Sequence, residues 1–422
     1  MDRPLTRAGL LPPLVAGLGL WLYLPLGGRL SLTELAALVL TPPCLFALLK
    51  VRRGPAVLVT GLLWLAGLTV STLLRPAPGG EVARAFASLG TLVVTIGLLC
   101  LVLRSPDADP AALRRRVLLG FAWGQLAGLL VTPPTVAALD PWKFGAGQAV
   151  TLLVLLAAER LRPRTRRYVV PVLLFLLAAG HLVTGSRSLA VLTVAAGLAA
   201  VLAPLGSRRG RARVVALAVA VAIGALVLQQ VYVTLANEGE LGAAQQQKVQ
   251  FQQGDFGLLV GGRKDAVFLL GGIAASPLLG WGPGAVVPPE VKATALDWLE
   301  SHHYPVHGYD RLTLVQPPEL YLHSILLGAW ATAGLGALPF WLLAVVLLAR
   351  GITRALRRGG VAEVYVLLVA FWHVWFSPLG DTTRGHLALA LALALTSLSR
   401  RESREEPTAA QQVERVPETS TR

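Results

Sequence analysis

The stretch HSILLGAWATAGLGALPFWLLAVVLLAR, residues 323–350, decides how this chain is read. No charged residue occurs between Ser324 and Arg350. A helix that crosses a bilayer needs about 20 mostly apolar residues, and this stretch exceeds that length. It begins at a histidine and ends in a basic turn with Arg350, Arg354, Arg357 and Arg358. It reads as a transmembrane helix entered from a polar loop on one side and left through a basic loop on the other.

Working outward, similar apolar segments recur near 9–27, 31–49, 55–74, 85–103, 117–133, 147–159, 168–184, 188–204, 213–233, 360–377 and 385–399. Hydrophobic residues make up 54% of the 422 residues and charged residues only 14%. A soluble domain carries about a quarter charged residues. The expectation is an all-α polytopic membrane protein of about 12 transmembrane helices, with membrane lipids as its surroundings. Proline pairs at Pro12–Pro13, Pro42–Pro43 and Pro133–Pro134 should end or kink helices.

Arginine and lysine test the topology. The N-terminus and the loops after even-numbered spans hold 27 of the 38, including Arg114–Arg116, Arg160–Arg167 and the tail. The opposite loops hold 11: Arg29, Arg75, Arg84, Lys143, Arg187, Lys248, Arg263, Lys264, Lys292, Arg311 and Arg384. The positive-inside rule puts both termini in the cytoplasm of an inner (plasma) membrane protein. The net charge of +15 therefore reads as topogenic, and no basic patch suits nucleic acid. Residues 400–422 are polar, with nothing to bury, and read as a disordered cytoplasmic tail behind an integral membrane domain over 1–399. Cys44 and Cys100 lie in apolar segments and read as small core residues. The N-terminal apolar run reads as an uncleaved first span.

One extracytoplasmic loop, about 234–322 between spans 9 and 10, is far longer than the others and holds His302, His303 and His307 just ahead of His323. Gly262-Arg263-Lys264-Asp265 opens an apolar stretch to Leu279 that is too short to span and suits an interfacial or re-entrant helix. Gly280-Trp281-Gly282-Pro283-Gly284 is a turn cluster.

Chemistry is expected at this face. His323 sits where the loop re-enters the membrane, where a helix N-terminus disfavours imidazolium and leaves a proton acceptor. A simple interfacial hydrogen bond is the plainer alternative. Arg263 suits a bidentate grip on phosphate, or snorkelling to headgroups. Arg187 lies in a tight outer turn, Thr184-Gly185-Ser186-Arg187-Ser188, and Arg384 could simply pair with Asp381. Together they fit a substrate with a diphosphate at the outer membrane face. His303 and His307 lack the intervening Glu of a zinc-protease helix, and Pro305 interrupts any helix there, so no metal site is expected. No phosphate loop, dinucleotide fingerprint or nucleophile elbow occurs.

The order of these residues resembles a family. A Thr-Gly-Ser-Arg turn opens a span. A loop follows with Gly-Arg, an apolar stretch and Pro277-Leu278-Leu279-Gly280-Trp281-Gly282-Pro283-Gly284. His323-Ser324 then precedes Gly334 by the spacing of a ligase-type pattern, with Ala337 where that pattern has Gly, Thr or Tyr. This is similar to the O-antigen ligase and polymerase superfamily. The resemblance implies a GT-C-like helical glycosyltransferase that needs no metal or other cofactor. Its donor would be an undecaprenyl-diphosphate-linked glycan, and its acceptor a glycan or lipid, with a protein as the alternative. It implies His323 as general base, with Arg263 and Arg187 on the diphosphate. Arg311, Arg384, His303 and Trp281 are candidate substrate contacts. Ligation, polymerisation and protein O-glycosylation all remain open. A lipid-linked glycan flippase is the rival class, and it would place charges inside the bundle.

Overall fold

The computed structural model describes residues 10–25, 29–75, 77–106, 108–131, 140–202, 210–308 and 310–398. The protein is all-α. A single two-stranded antiparallel hairpin, Tyr23–Pro25 with Arg29–Ser31, is its only sheet among these residues. The proline pair at 133–134 and the tail beyond 398 lie outside the described residues.

The first half of the chain is helical from α1 to α9. These are α1 (Leu11–Gly19), α2 (Leu32–Val39), α3 (Thr41–Leu49), α4 (Gly54–Leu74), α5 (Gly79–Leu103), α6 (Pro110–Val131), α7 (Gly147–Ala158), α8 (Pro163–Val183) and α9 (Arg187–Leu202). Next come α10 (Gly210–Asn237), α11 (Ala243–Gln252), α12 (Gly257–Gly261), α13 (Lys264–Ala275) and α14 (Pro289–Ser301). The last four are α15 (Ile325–Ala333), α16 (Leu338–Arg358), α17 (Val361–Phe376) and α18 (Asp381–Leu398).

Three segments are long and apolar enough to cross a membrane: α4, α5 and the run Ile325–Arg358. The pair α2 and α3 makes a fourth if its 86° bend lies within one span. That bend falls at Thr41-Pro42-Pro43, where proline cannot donate to the preceding turn. The expected first span is instead a nine-residue helix, α1, followed by the hairpin. The helix α4 turns Val59, Leu62, Leu63, Val70 and Leu73 outward. An apolar exterior of this kind suits lipid rather than water.

Inside, close approach relies on glycine. A Cβ on Gly120 would sit 2.0 Å from the Leu14 carbonyl oxygen, and one on Gly124 would sit 2.4 Å from that of Leu18. The small-residue stripe Gly120, Gly124, Gly128 on α6 thus admits α1, as in membrane helix pairs. The helix α18 is the axis of the core, with Leu387 to Leu395 buried throughout. A buried polar chain ties its His386 to α6 and α7. Gln125 donates to Gln148 at 2.8 Å, Gln148 donates to His386 Nδ1 at 2.8 Å, and His386 Nε2 donates to the Val366 carbonyl at 2.9 Å.

The long loop between α10 and α15 is a folded unit with its own apolar core of Phe268, Leu269, Ile273, Val287, Leu299, Tyr304, Val306, Leu314 and Leu320. Two lysines staple it. Lys264 Nζ donates to the carbonyls of Phe251 (3.1 Å) and Pro305 (2.5 Å) and pairs with Asp310 at 2.6 Å. Lys292 Nζ donates to the carbonyls of Leu314, Pro317 and Glu319. The helix expected after Gly262 is α13, and it packs on α14 and α15.

The turn cluster at 280–284 docks this unit onto the long span. Trp281 and Gly282 donate from their backbones to the carbonyls of Ala331 (2.6 Å) and Thr332 (2.9 Å), and Leu335 donates to that of Leu278 (3.0 Å). These bonds meet the span at its break, the 3-10 turn Gly334–Ala337. Gly334 has φ +60°, and a Cβ there would lie 2.0 Å from the Leu278 oxygen, so only glycine fits.

Candidate functional site

His323 stands one residue ahead of Ser324, the N-cap of α15, whose hydroxyl accepts from the Leu327 N–H at 3.3 Å. The approach is extended, and the Tyr321 ring stacks on the imidazole with centroids 5.3 Å apart. His323 Nδ1 is buried and has no hydrogen-bond partner among the described residues. Burial first, then the positive charges of Arg263 and Lys143, push its pKa down to about 4. The imidazole is therefore neutral at ordinary pH. Its cause is mainly this enclosure, not the helix end alone.

Arg263 is the N-cap residue of α13. Its guanidinium lies over the Phe376 ring, 5.5 Å from the centroid. Among the described residues it donates to no protein acceptor. Burial lowers its pKa, opposed by Asp265 and reinforced by Arg187. Arg187, at the start of α9, is steered by Gln252, which accepts from Nη2 at 3.0 Å, and lies over the Tyr232 ring at 4.8 Å. The structure thus brings His323, Arg263 and Arg187 into one electrostatic neighbourhood.

Two further cations belong to it. Lys143 sits in the π-helical turn Trp142–Ala146, with its pKa lowered by burial and by Arg187 and Arg263, against Asp140. Lys248, exposed on α11, is lowered by partial desolvation and then by Arg187 and Lys143. One buried histidine braces both neighbouring turns. His181 Nδ1 accepts from the Trp142 indole at 3.0 Å, so Nε2 carries the proton toward Thr151 at 3.0 Å. The His181 carbonyl accepts from Ser186 N at 2.7 Å, which shapes the turn that presents Arg187.

An apolar cavity of about 590 Å³ opens beside His323. Arg263, Asp265, Thr294 and Ser324 supply its other polar groups, and Leu270, Leu327, Trp298, Trp375 and Phe376 much of its apolar wall. Burial pushes the Asp265 carboxyl up to about 6, against the pull of Arg263.

The other expected contacts lie elsewhere or are already engaged. Arg384 is buried and forms a two-point pair with Glu34 of α2, donating to it from Nε and from Nη2 (3.0 Å). Trp281 donates from its indole to the Gly272 carbonyl at 2.7 Å and lies under Arg75, 3.7 Å from its ring centroid. Arg311 is exposed at the start of a second π-turn, Arg311–Val315. His303 is exposed, with φ +60°, and its Nδ1 lies 2.9 Å from Asp255. His302 stacks on Trp298 at 4.2 Å, and His307 packs edge-on to Phe251. Among the described residues no three His, Cys, Asp or Glu side chains gather into a metal-sized group.

Comparison with known proteins returns no matching family and no matching curated protein.

Proposed function

We propose that this protein is a multi-pass inner-membrane glycosyltransferase of the O-antigen ligase and polymerase type. It would move a glycan from an undecaprenyl-diphosphate carrier to an acceptor hydroxyl. The reading includes about 12 spans, cytoplasmic termini and an extracytoplasmic site.

One observation carries it: a half-buried, neutral His323 whose Nδ1 has no partner among the described residues, in the field of Lys143 and of Arg263, a guanidinium that donates to no protein acceptor among them. A base without its proton donor and a guanidinium with hydrogen-bond donors to spare are what a two-substrate transfer requires. The acceptor O–H attacks the anomeric carbon. Its proton goes to His323 as the new C–O bond forms. The bond to the diphosphate breaks, and the electron pair leaves with the diphosphate. The diphosphate is already an activated leaving group, so the protein supplies orientation, one proton acceptor and positive charge. Each charge-assisted hydrogen bond to it contributes about 1.5–3 kcal/mol.

The test is reconstitution. Purified protein in detergent is given lipid-linked glycan extracted from the host and acceptor-bearing membranes from a strain lacking the protein. Wild type is expected to release undecaprenyl diphosphate and form a new glycoside. Absence of both products in a folded sample overturns the reading.

A further inference from the structure

Between Asp265 and Glu290 the chain carries no charged residue. The first half of this stretch is α13, and the chain then turns through Ser276–Gly280. Ala274, Ala275, Pro277, Leu278 and Leu279 are exposed, Leu278 to 65%. The folded loop unit thus ends in a bare apolar tip.

Depth decides which medium surrounds it. The helix α4 runs for 21 residues between Arg53 and Arg75. That is about 31 Å, close to the roughly 30 Å of hydrocarbon in a bilayer, so its ends mark the two faces. The break in the long span packs on the middle of α4, since a Cβ on Gly336 would lie 2.8 Å from the Gly67 Cα. Gly67 precedes Arg75 by eight residues, which puts the break about 12 Å along α4 below that face. At the break, the Leu335 N–H donates to the Leu278 carbonyl at 3.0 Å. Leu278 therefore stands well below the end of α4, at the level where Val70, Leu73 and Leu335 are also exposed. Trp281 and Arg75, stacked 3.7 Å apart, mark the face itself, where tryptophan and arginine meet headgroups.

The backbone of the tip suits hydrocarbon. No water satisfies a carbonyl there, so protein donors must. The Ser276 carbonyl accepts from Gly280 N at 3.1 Å, that of Pro277 from the Trp330 indole at 2.8 Å, and that of Gly280 from the Ser276 hydroxyl at 3.0 Å. With Leu278 bonded to Leu335, the turn holds these groups without water.

We propose that Ala274–Leu279 is a re-entrant tip seated among the acyl chains of the leaflet on the Arg75 side. Its partner is the bilayer itself. The unit that carries Arg263 is thereby fixed in height by lipid as well as by the span. This docking holds whatever reaction the protein carries out.

The experiment places single cysteines at Leu278, Leu279, Val70 and Glu300 in the full chain, reconstituted in phosphatidylethanolamine and phosphatidylglycerol vesicles. Val70 is the lipid marker and Glu300, exposed on α14, the water marker. The native Cys44 and Cys100 are fully buried, and wild type treated alike gives the background. Nitroxide labels at 278 and 279 are expected to relax with oxygen and resist an aqueous nickel chelate, as the label at 70 does. A second measurement needs no nitroxide. In open membrane fragments the unlabelled cysteines at 278 and 279 should react with a charged maleimide at least about fivefold more slowly than that at 300, because a thiolate does not form in hydrocarbon. Detergent should remove the difference. Nickel access or maleimide reaction at 278 and 279 equal to that at 300 would overturn the proposal. Labels shielded from oxygen and nickel alike would also overturn it, by making the tip a protein contact. Water access at 70 would remove α4 as the depth marker and the proposal with it.

Discussion

The Tyr321 ring lies nearly parallel to the His323 imidazole, with centroids 5.3 Å apart and planes 12° from parallel. The stack sets the ring plane of a histidine whose Nδ1 has no partner to orient it. Tyr321→Phe should keep the stack and hold kcat within about threefold, whereas Tyr321→Ala should lower kcat by about tenfold with little change in donor KM. Single-turnover transfer kinetics on the two variants check this. Equal rates in both would remove Tyr321 from the positioning of the base.

Arg263→Lys keeps the charge and loses the planar fork. Among the described residues Arg263 donates no hydrogen bond to protein, although Asp265 shares its field, so its donors are available to substrate. The expected loss in kcat/KM is on the order of a hundredfold, about 2.7 kcal/mol. Arg187→Lys should cost less, since Gln252 already takes one of that guanidinium's donors. Donor titrations with both variants check the order.

The pH profile separates His323 from Asp265. His323 must be neutral to accept a proton, and its pKa is pushed down to about 4 by burial, Arg263 and Lys143. Its contribution to kcat should therefore stay flat as pH falls through 6.5 and be lost only as pH falls through about 4. Asp265, pushed up to about 6, takes up its proton earlier, so KM rather than kcat should change as pH falls through about 6, when Arg263 loses its neighbouring carboxylate. Asp265→Asn should abolish that change and leave the kcat limb near 4. A kcat limb near 6.5 in both proteins would place the base in an ordinary solvated setting and contradict the burial of His323.

Arg384 tests a structural role. Its pair with Glu34 joins α18 to α2 and is buried on both sides. Arg384→Ala leaves a carboxylate uncompensated and should destabilise the protein by about 3–5 kcal/mol, while Arg384→Leu with Glu34→Gln should recover part of it. Thermal unfolding in detergent reads both. A variant Arg384→Ala that is fully stable but blocked in donor binding would return this arginine to the substrate.

The site was legible where a local pattern exposed it. The apolar run after Ser324, the short helix after Gly262 and the Thr-Gly-Ser-Arg turn are sequence-local signals. They led to His323, Arg263 and Arg187, of which Arg263 lies within range of the other two. Lys143 and Lys248 carry no such signal, because their membership depends on how α7, α9 and α11 converge. Asp265 sits beside Arg263 in sequence, yet only the cavity shows that it faces the same space. Lys264 and Lys292 counted as outward charges, but both are buried and tie loop carbonyls together. Glu34 and Arg384 are 350 residues apart, and no spacing rule links them. The first apolar segment was long enough to span, yet α1 ends at Gly19 and the chain turns into a hairpin.

The most direct measurement is glycan profiling of a strain lacking the protein, complemented with wild type or with His323→Ala, both shown to insert at equal levels. The account predicts that the strain loses surface glycan and accumulates lipid-linked oligosaccharide, and that only wild type reverses this. Full restoration by His323→Ala would contradict it, because a transferase built on this site has no other neutral, unpartnered base beside Arg263 among the described residues.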